Sequence, residues 1–282
     1  MSSDDGVDAG DSWIEIRVEP SNGRDLVIGA LFASGSLGIH EDGAAIVTHF
    51  PSGTSIKEIC DTILAVDSGA SVEAGISPQV DWSSWRASVG THRVGALTIS
   101  PPWLASKSEA SRTIVIDPAM AFGTGEHPTT RGVILLMQQI QTIPQLVVDL
   151  GAGSAVLSIA AAKLGAWRVV AVELDPDAIG NAGANVAANQ VQHRVHVIQG
   201  DAQTLLPLLA PADLVLANIV SSVLVGMMPT ITSSVPAGGH AILSGILAEE
   251  RDAVLTAIPP EHWRVVAERR EESWWTVLIA RL

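Results

Sequence analysis

Val147-Val-Asp-Leu-Gly151-Ala-Gly153-Ser154 reads as an apolar strand running into a glycine turn and then into a helix. In a doubly wound sheet, such a turn lies at the carboxyl end of a central strand, where ligands bind. Gly151 and Gly153 let a ligand approach the backbone with no Cβ in the way. Taken alone, the same turn suits a tight strand–helix junction in any α/β protein.

The residues around the turn narrow the ligand. In a G-x-G-x-x-G pattern starting at Gly151 the third glycine falls on Val156, so the dinucleotide fingerprint is absent. The next strand ends Val170-Ala-Val172-Glu173, with its acid 22 residues after Gly151. A carboxylate at that tip can accept from both hydroxyls of an adenosine ribose. With no pyrophosphate loop, S-adenosylmethionine is the best fit. The third strand ends Gln199-Gly200-Asp201, where Asp201 suits either the adenine amino group or a helix cap. The fourth ends Leu216-Ala217-Asn218, and Asn218 offers a carbonyl to an incoming amine and a donor to the cofactor. Upstream, residues 117–130 place two glycines and two threonines before an amphipathic helix. That makes a cap whose amides suit an anionic group such as a cofactor carboxylate. His127 has no second His or Cys nearby and is read as stabilising this loop; no metal site is expected.

Strands and helices alternate from Thr113 onward. Strands are expected at 113–116, 146–150, 168–172, 195–198, 214–217 and 240–244, and helices at 129–140, 154–164 and 177–189. Short apolar strands between helices predict a parallel sheet covered on both faces. A terminal hairpin pairs 264–268 with 274–281. Residues 13–76 carry a β-α-β-β-α-β pattern, a small ferredoxin-like α+β domain, with strands at 13–18, 37–40, 44–50 and 71–76. Thr54 or Ser55 caps its second helix. Residues 1–12 read as a solvated tail and 77–110 as linker and lead-in. The Gly- and Ser-rich stretch 67–78 is also read as linker, and 111–282 as the cofactor-binding domain.

Composition excludes other classes. The chain has 282 residues, 47% of them hydrophobic, enough for a packed core. No run of 18 apolar residues occurs, so no membrane span is expected, and the acidic start is no secretory signal. A net charge of −14 disfavours nucleic acid and favours small molecules or basic proteins. Cys60 is the single cysteine and there is no tyrosine. A cytoplasmic protein is expected.

The runs FGTGEHPTT, VVDLGAGSAVLSIAAAKLGA, VVAVELDPDAI, LVLANIV and GGHAILSGILAEE resemble one family closely. It is the methyltransferase of large-subunit ribosomal protein eleven, the PrmA family. The resemblance extends from Trp13, through the tryptophans at 82, 85 and 103, over nearly the whole chain. It implies a class I (Rossmann-like) methyltransferase sheet, preceded by a domain that recognises the ribosomal protein. It also implies methylation of lysine side chains and of the N-terminal amine; a monomer is expected. Site residues carried over or read locally are Phe122, Gly123, Thr130, Gly151, Gly153, Glu173, Asp201 and Asn218, with Asn218 the catalytic one. Three positions depart from the family pattern: Ala155 replaces the third glycine, Ala119 replaces a glycine, and Glu173 replaces an aspartate. Each is expected to add bulk near the cofactor. A small-molecule methyltransferase and a binding protein with a vestigial pocket are the rival readings.

Overall fold

The computed structural model describes residues 13–36, 39–43, 45–51, 53–77, 90–105, 110–117, 125–142 and 144–282. The chain divides into two compact units, residues 1–88 and 89–282. Among the described residues no helix is long and apolar enough to cross a membrane.

The first unit runs β1 (Trp13–Glu19), α1 (Arg24–Ala33), β2 (Ile39–Asp42), β3 (Ala45–Pro51), α2 (Ile56–Val66), β4 (Ser71–Ser77). Its antiparallel sheet has the order β2-β3-β1-β4. Period-two alternation in β1 sends Ile14, Ile16 and Val18 into the core. There they meet Ile59 and Ile63, one turn apart on α2. Ser55 caps α2 by accepting from the Glu58 amide at 3.4 Å. The stretch read as linker from residue 67 is largely structural, because β4 pairs along the whole length of β1. Asp67 is buried and accepts from the amides of Ser21, Asn22 and Gly69 and from the Ser21 hydroxyl. These bonds hold its carboxyl below the usual carboxylate range. The second strand runs to Asp42, two residues beyond its expected end, so the turn follows Asp42; residues 37 and 38 lie outside the described residues, as do 1–12.

The second unit opens with β5 (His92–Val94), β6 (Leu97–Ser100) and β7 (Thr113–Val115). They form a sheet of their own, so the strand at 113 does not join the main parallel sheet as expected. Two asparagines explain why. The elements that follow are α3 (Pro128–Met137), β8 (Leu146–Leu150), α4 (Val156–Lys163), β9 (Arg168–Glu173) and α5 (Pro176–Ala188). Asn189, just past α5, accepts from the Val115 amide at 2.8 Å and donates to the Val115 carbonyl at 2.6 Å. Asn185 accepts from the Asp117 amide at 2.9 Å. Both asparagines are buried. They satisfy the open edge of β7 as a neighbouring strand would.

Next come β10 (Val195–Gln199), α6 (Ala202–Leu209), β11 (Leu214–Asn218), α7 (Ser221–Ser234), β12 (His240–Leu247), α8 (Arg251–Ala257), β13 (Trp263–Glu271) and β14 (Trp274–Arg281). The main sheet has the order β10-β9-β8-β11-β12-β14-β13. Its first five strands are parallel, and β14 runs antiparallel between β12 and β13. Alternate residues of β8 serve opposite faces. Val147 packs with residues of α3, α4 and α5, whereas Val148 and Leu150 pack with residues of α6, α7 and α8. The chain turns from β8 to β9 on one side and later to β11 on the other, so the sheet reverses its order beside β8.

Candidate active site

The strand registers line up the tips that matter. Leu150 pairs with Val172 on one side and Ala217 on the other, Gln199 pairs with Glu173, and Asn218 with Ser244. The amides of Gly151 and Ala152 both donate to the Val172 carbonyl, at 2.9 and 3.0 Å. The Gly200 amide donates to the Glu173 carbonyl at 2.8 Å. Gly151, Glu173, Asp201 and Asn218 therefore end neighbouring strands at the reversal point, where open α/β sheets bind ligands.

Gly151 and Gly153 have φ of +71° and +52°. A Cβ on Gly151 would lie 2.8 Å from the Ile219 side chain. The Gly151 and Ala152 amides are engaged by Val172, and the Gly153 amide is taken by the Glu173 carboxylate. Its Oε2 accepts from the Gly153 amide at 2.7 Å, while Oε1 accepts from Leu174 and Asp175 at 2.8 and 2.9 Å. A carboxylate offers about four lone-pair sites. Glu173 accordingly has to release an amide before it can accept from two ribose hydroxyls.

Ala155 also has a left-handed backbone, at φ +64°. It is fully buried and packs in the core with α3 and α4 residues. Its methyl therefore presents no exposed surface, and the left-handed backbone of alanine at this position costs about 1–2 kcal/mol.

Two buried side-chain oxygens on β8 and on the helix before it lack hydrogen-bond partners among the described residues. They are Thr130 Oγ1, in the first turn of α3, and Asp149 Oδ1, one residue before the end of β8. Asp149 Oδ2 accepts from the Ser158 hydroxyl at 2.7 Å. Burial raises the Asp149 pKa to about 6, against the Ser158 hydrogen bonds and helped slightly by the charge of Glu173. An acid inside an apolar strand is the sequence signal for this group, and the strand reading passed over it.

Asn218 is half-buried, and its side chain has no hydrogen-bond partner among the described residues. The Ile219 peptide after it lies against Gly245, where a Cβ would overlap the Ile219 carbonyl. Gly245 has φ +79° and marks the irregular register of β12 against β14. A glycine inside a strand is the usual sign of such a close approach.

Asp201 caps α6, accepting from the Thr204 amide at 2.7 Å; hydrogen bonds from the Thr204 side chain and then its amide lower the Asp201 pKa. His127 caps α3: Nδ1 accepts from the Thr129 amide at 3.4 Å and meets the Thr129 hydroxyl at 2.7 Å. Its ring stacks edge-on against Trp274 at 4.8 Å. Burial, with the charge of Arg131, lowers the His127 pKa. Ala119, Phe122 and Gly123 lie outside the described residues.

A family model described as ribosomal protein L11 methyltransferase (PrmA) matches residues 30–281. The chain belongs to this family. A ribosomal protein L11 methyltransferase of Lacticaseibacillus paracasei is 33% identical over 252 residues, covering 84% of this chain and 79% of the relative. One from Geobacter sulfurreducens is 41% identical over 199 residues, covering 69% and 64%. A solved ribosomal protein L11 methylase from Lactobacillus delbrueckii subsp. bulgaricus is 26% identical, with a TM-score of 0.60. It covers 68% of this chain and 99% of its own. Membership in the L11 methyltransferase family and the Rossmann-like α/β fold thus agree with the expectation from FGTGEHPTT and the glycine turn.

Proposed function

We propose that the chain transfers methyl groups from S-adenosylmethionine to ribosomal protein L11, at lysine side chains and at the N-terminal amine. The observation that carries this reading is the row of strand tips at the sheet reversal, where Gly151, Glu173 and Asn218 meet. The residues present suit the cofactor. Among the described residues Thr130 Oγ1 and Asp149 Oδ1 are buried and unpartnered, Gly151 has no Cβ, and Glu173 is an acid at the second strand tip. In this reading Thr130, Gly151, Gly153, Glu173 and Asp201 hold the cofactor, with Phe122 and Gly123 of the preceding loop. When bound, S-adenosylmethionine supplies an electrophilic methyl group on a sulfonium.

The chain's own task is to present a neutral amine. A free lysine has a pKa near ~10.4, so neutrality at pH 7 costs roughly 4.6 kcal/mol. Apolar surroundings lower that pKa, and Ile219 and the exposed Val220 follow Asn218 directly. The Asn218 carbonyl accepts from the amine and aims its lone pair, and water takes the proton. No tyrosine is available for an Asn-Pro-Pro-Tyr arrangement; the run here is Asn218-Ile219-Val220-Ser221. The first unit recognises the protein substrate, and the net charge of −14 suits a basic one. The working form is a cytoplasmic monomer that needs no nucleic acid.

The test is mass spectrometry of purified L11 after incubation with the chain and isotopically labelled cofactor. Label on L11 lysines and the N-terminus is expected; label on metabolites alone, or none, refutes the reading. Asn218→Ala should lower kcat roughly 100-fold while changing cofactor Kd little.

A further inference from the structure

Resting on the proposed role of Asn218, we infer that Glu250 is a positioning residue for methyl transfer. It fixes the segment 218–221 against the end of β12.

Beyond the pairing of Asn218 with Ser244 and the Val223 and Leu224 amides that donate to the Val220 carbonyl, the segment is fixed to the end of β12 at two further points. At its first end, the Ile219 peptide presses on Gly245, where no side chain is tolerated. At its far end, the Ser221 hydroxyl donates to Glu250 Oε1 at 2.7 Å. The other oxygen, Glu250 Oε2, accepts from the Leu247 amide at 2.9 Å. One carboxylate thereby joins the first residue of α7 to the last residue of β12. Val220, between the two anchors, is exposed and its side chain makes no cap hydrogen bond.

Glu250 is well suited to this duty and poorly suited to direct chemistry. Both its oxygens are engaged by donors, and the Ser221 bond keeps its carboxyl below the usual range. It therefore stays an anion, able to hold both bonds, at neutral pH. Gly245 lets the Ile219 peptide come close to β12 but does nothing for the Ser221 end. Releasing that end allows the Asn218 carbonyl to swing, and a misplacement of about 1 Å can cost about 100-fold in rate.

The test uses the full chain with L11 and S-adenosylmethionine. Glu250→Gln keeps the size but cannot accept at both atoms, and Ser221→Ala removes one donor. Each should lower kcat about tenfold, with cofactor Kd by calorimetry and thermal midpoint close to wild type. Ser221→Thr, which keeps the hydroxyl, should restore the rate. In an Asn218→Ala background, Glu250→Gln should have no further effect on kcat, because its action passes through Asn218. Wild-type kcat in Glu250→Gln, or an undiminished effect in the Asn218→Ala background, overturns the inference while leaving the proposed function standing. Full activity of Asn218→Ala refutes the role of Asn218 and this inference with it.

Discussion

Asp149→Asn tests whether the acid inside the central strand is as desolvated as its surroundings imply. The wild-type carboxyl is buried, accepts from the hydroxyl and amide of Ser158, and has its pKa raised from 3.8 to about 6. A raised folded-state pKa means that the native chain keeps a proton the unfolded chain has lost. Stability therefore falls as pH rises from about 4 to about 6, and the loss is complete above that. A gap of about two units at ~1.4 kcal/mol each is worth about 3 kcal/mol in all. Roughly 2 kcal/mol of it falls between pH 4 and pH 7. Asparagine has the same shape and can still accept from Ser158, but it adds an N–H donor whose burial costs ~1–3 kcal/mol if unmet. That cost does not depend on pH, so the change in the difference between the two proteins isolates the ionisation. Urea unfolding followed by tryptophan fluorescence at pH 4 and pH 7 gives the two differences. The variant should gain about 2 kcal/mol relative to wild type on going from pH 4 to pH 7. A difference that stays level across that range would show that Asp149 is solvated, and the reasoning from burial would be wrong.

Glu173→Ala should weaken S-adenosylmethionine binding by roughly 100-fold in calorimetry, because two hydrogen bonds to a charged acceptor are lost. Unchanged affinity removes the ribose assignment. Gly245→Ala puts a left-handed residue, costing about 1–2 kcal/mol, against the Ile219 carbonyl. It should lower unfolding stability by more than about 2 kcal/mol and slow turnover together. Wild-type stability would mean that the two strands separate without cost. Removing residues 1–88 should leave cofactor binding intact and abolish L11 methylation; methylation by the remainder would refute substrate recognition by the first unit.

Local patterns carried most of the architecture. The β8 strand, its glycine turn, the acid ending β9 and the alternation of β1 follow from period-two burial and from glycine's freedom at positive φ, both properties of consecutive residues. Helices α6, α7 and α8 were not read. Pro207 and Pro229 sit inside the first two, so propensity argues against helices that packing on the sheet nevertheless stabilises.

Contacts between distant residues decided the rest. Asn185 and Asn189 satisfy the edge of β7 and keep it out of the main sheet, although nothing in 113–116 itself distinguishes it from a central strand. The same holds at the site. The residue types at Gly151, Glu173 and Asn218 could be chosen from sequence, because each ends an apolar strand. Only the folded chain turned the Ala155 methyl into the core, buried Asp149, engaged Glu173 with three amides, and tied Ser221 to Glu250. Those outcomes depend on which atoms desolvate or satisfy one another once strands and helices pack, as Gly153 with Glu173 and Ser221 with Glu250 do across 20 and 29 residues.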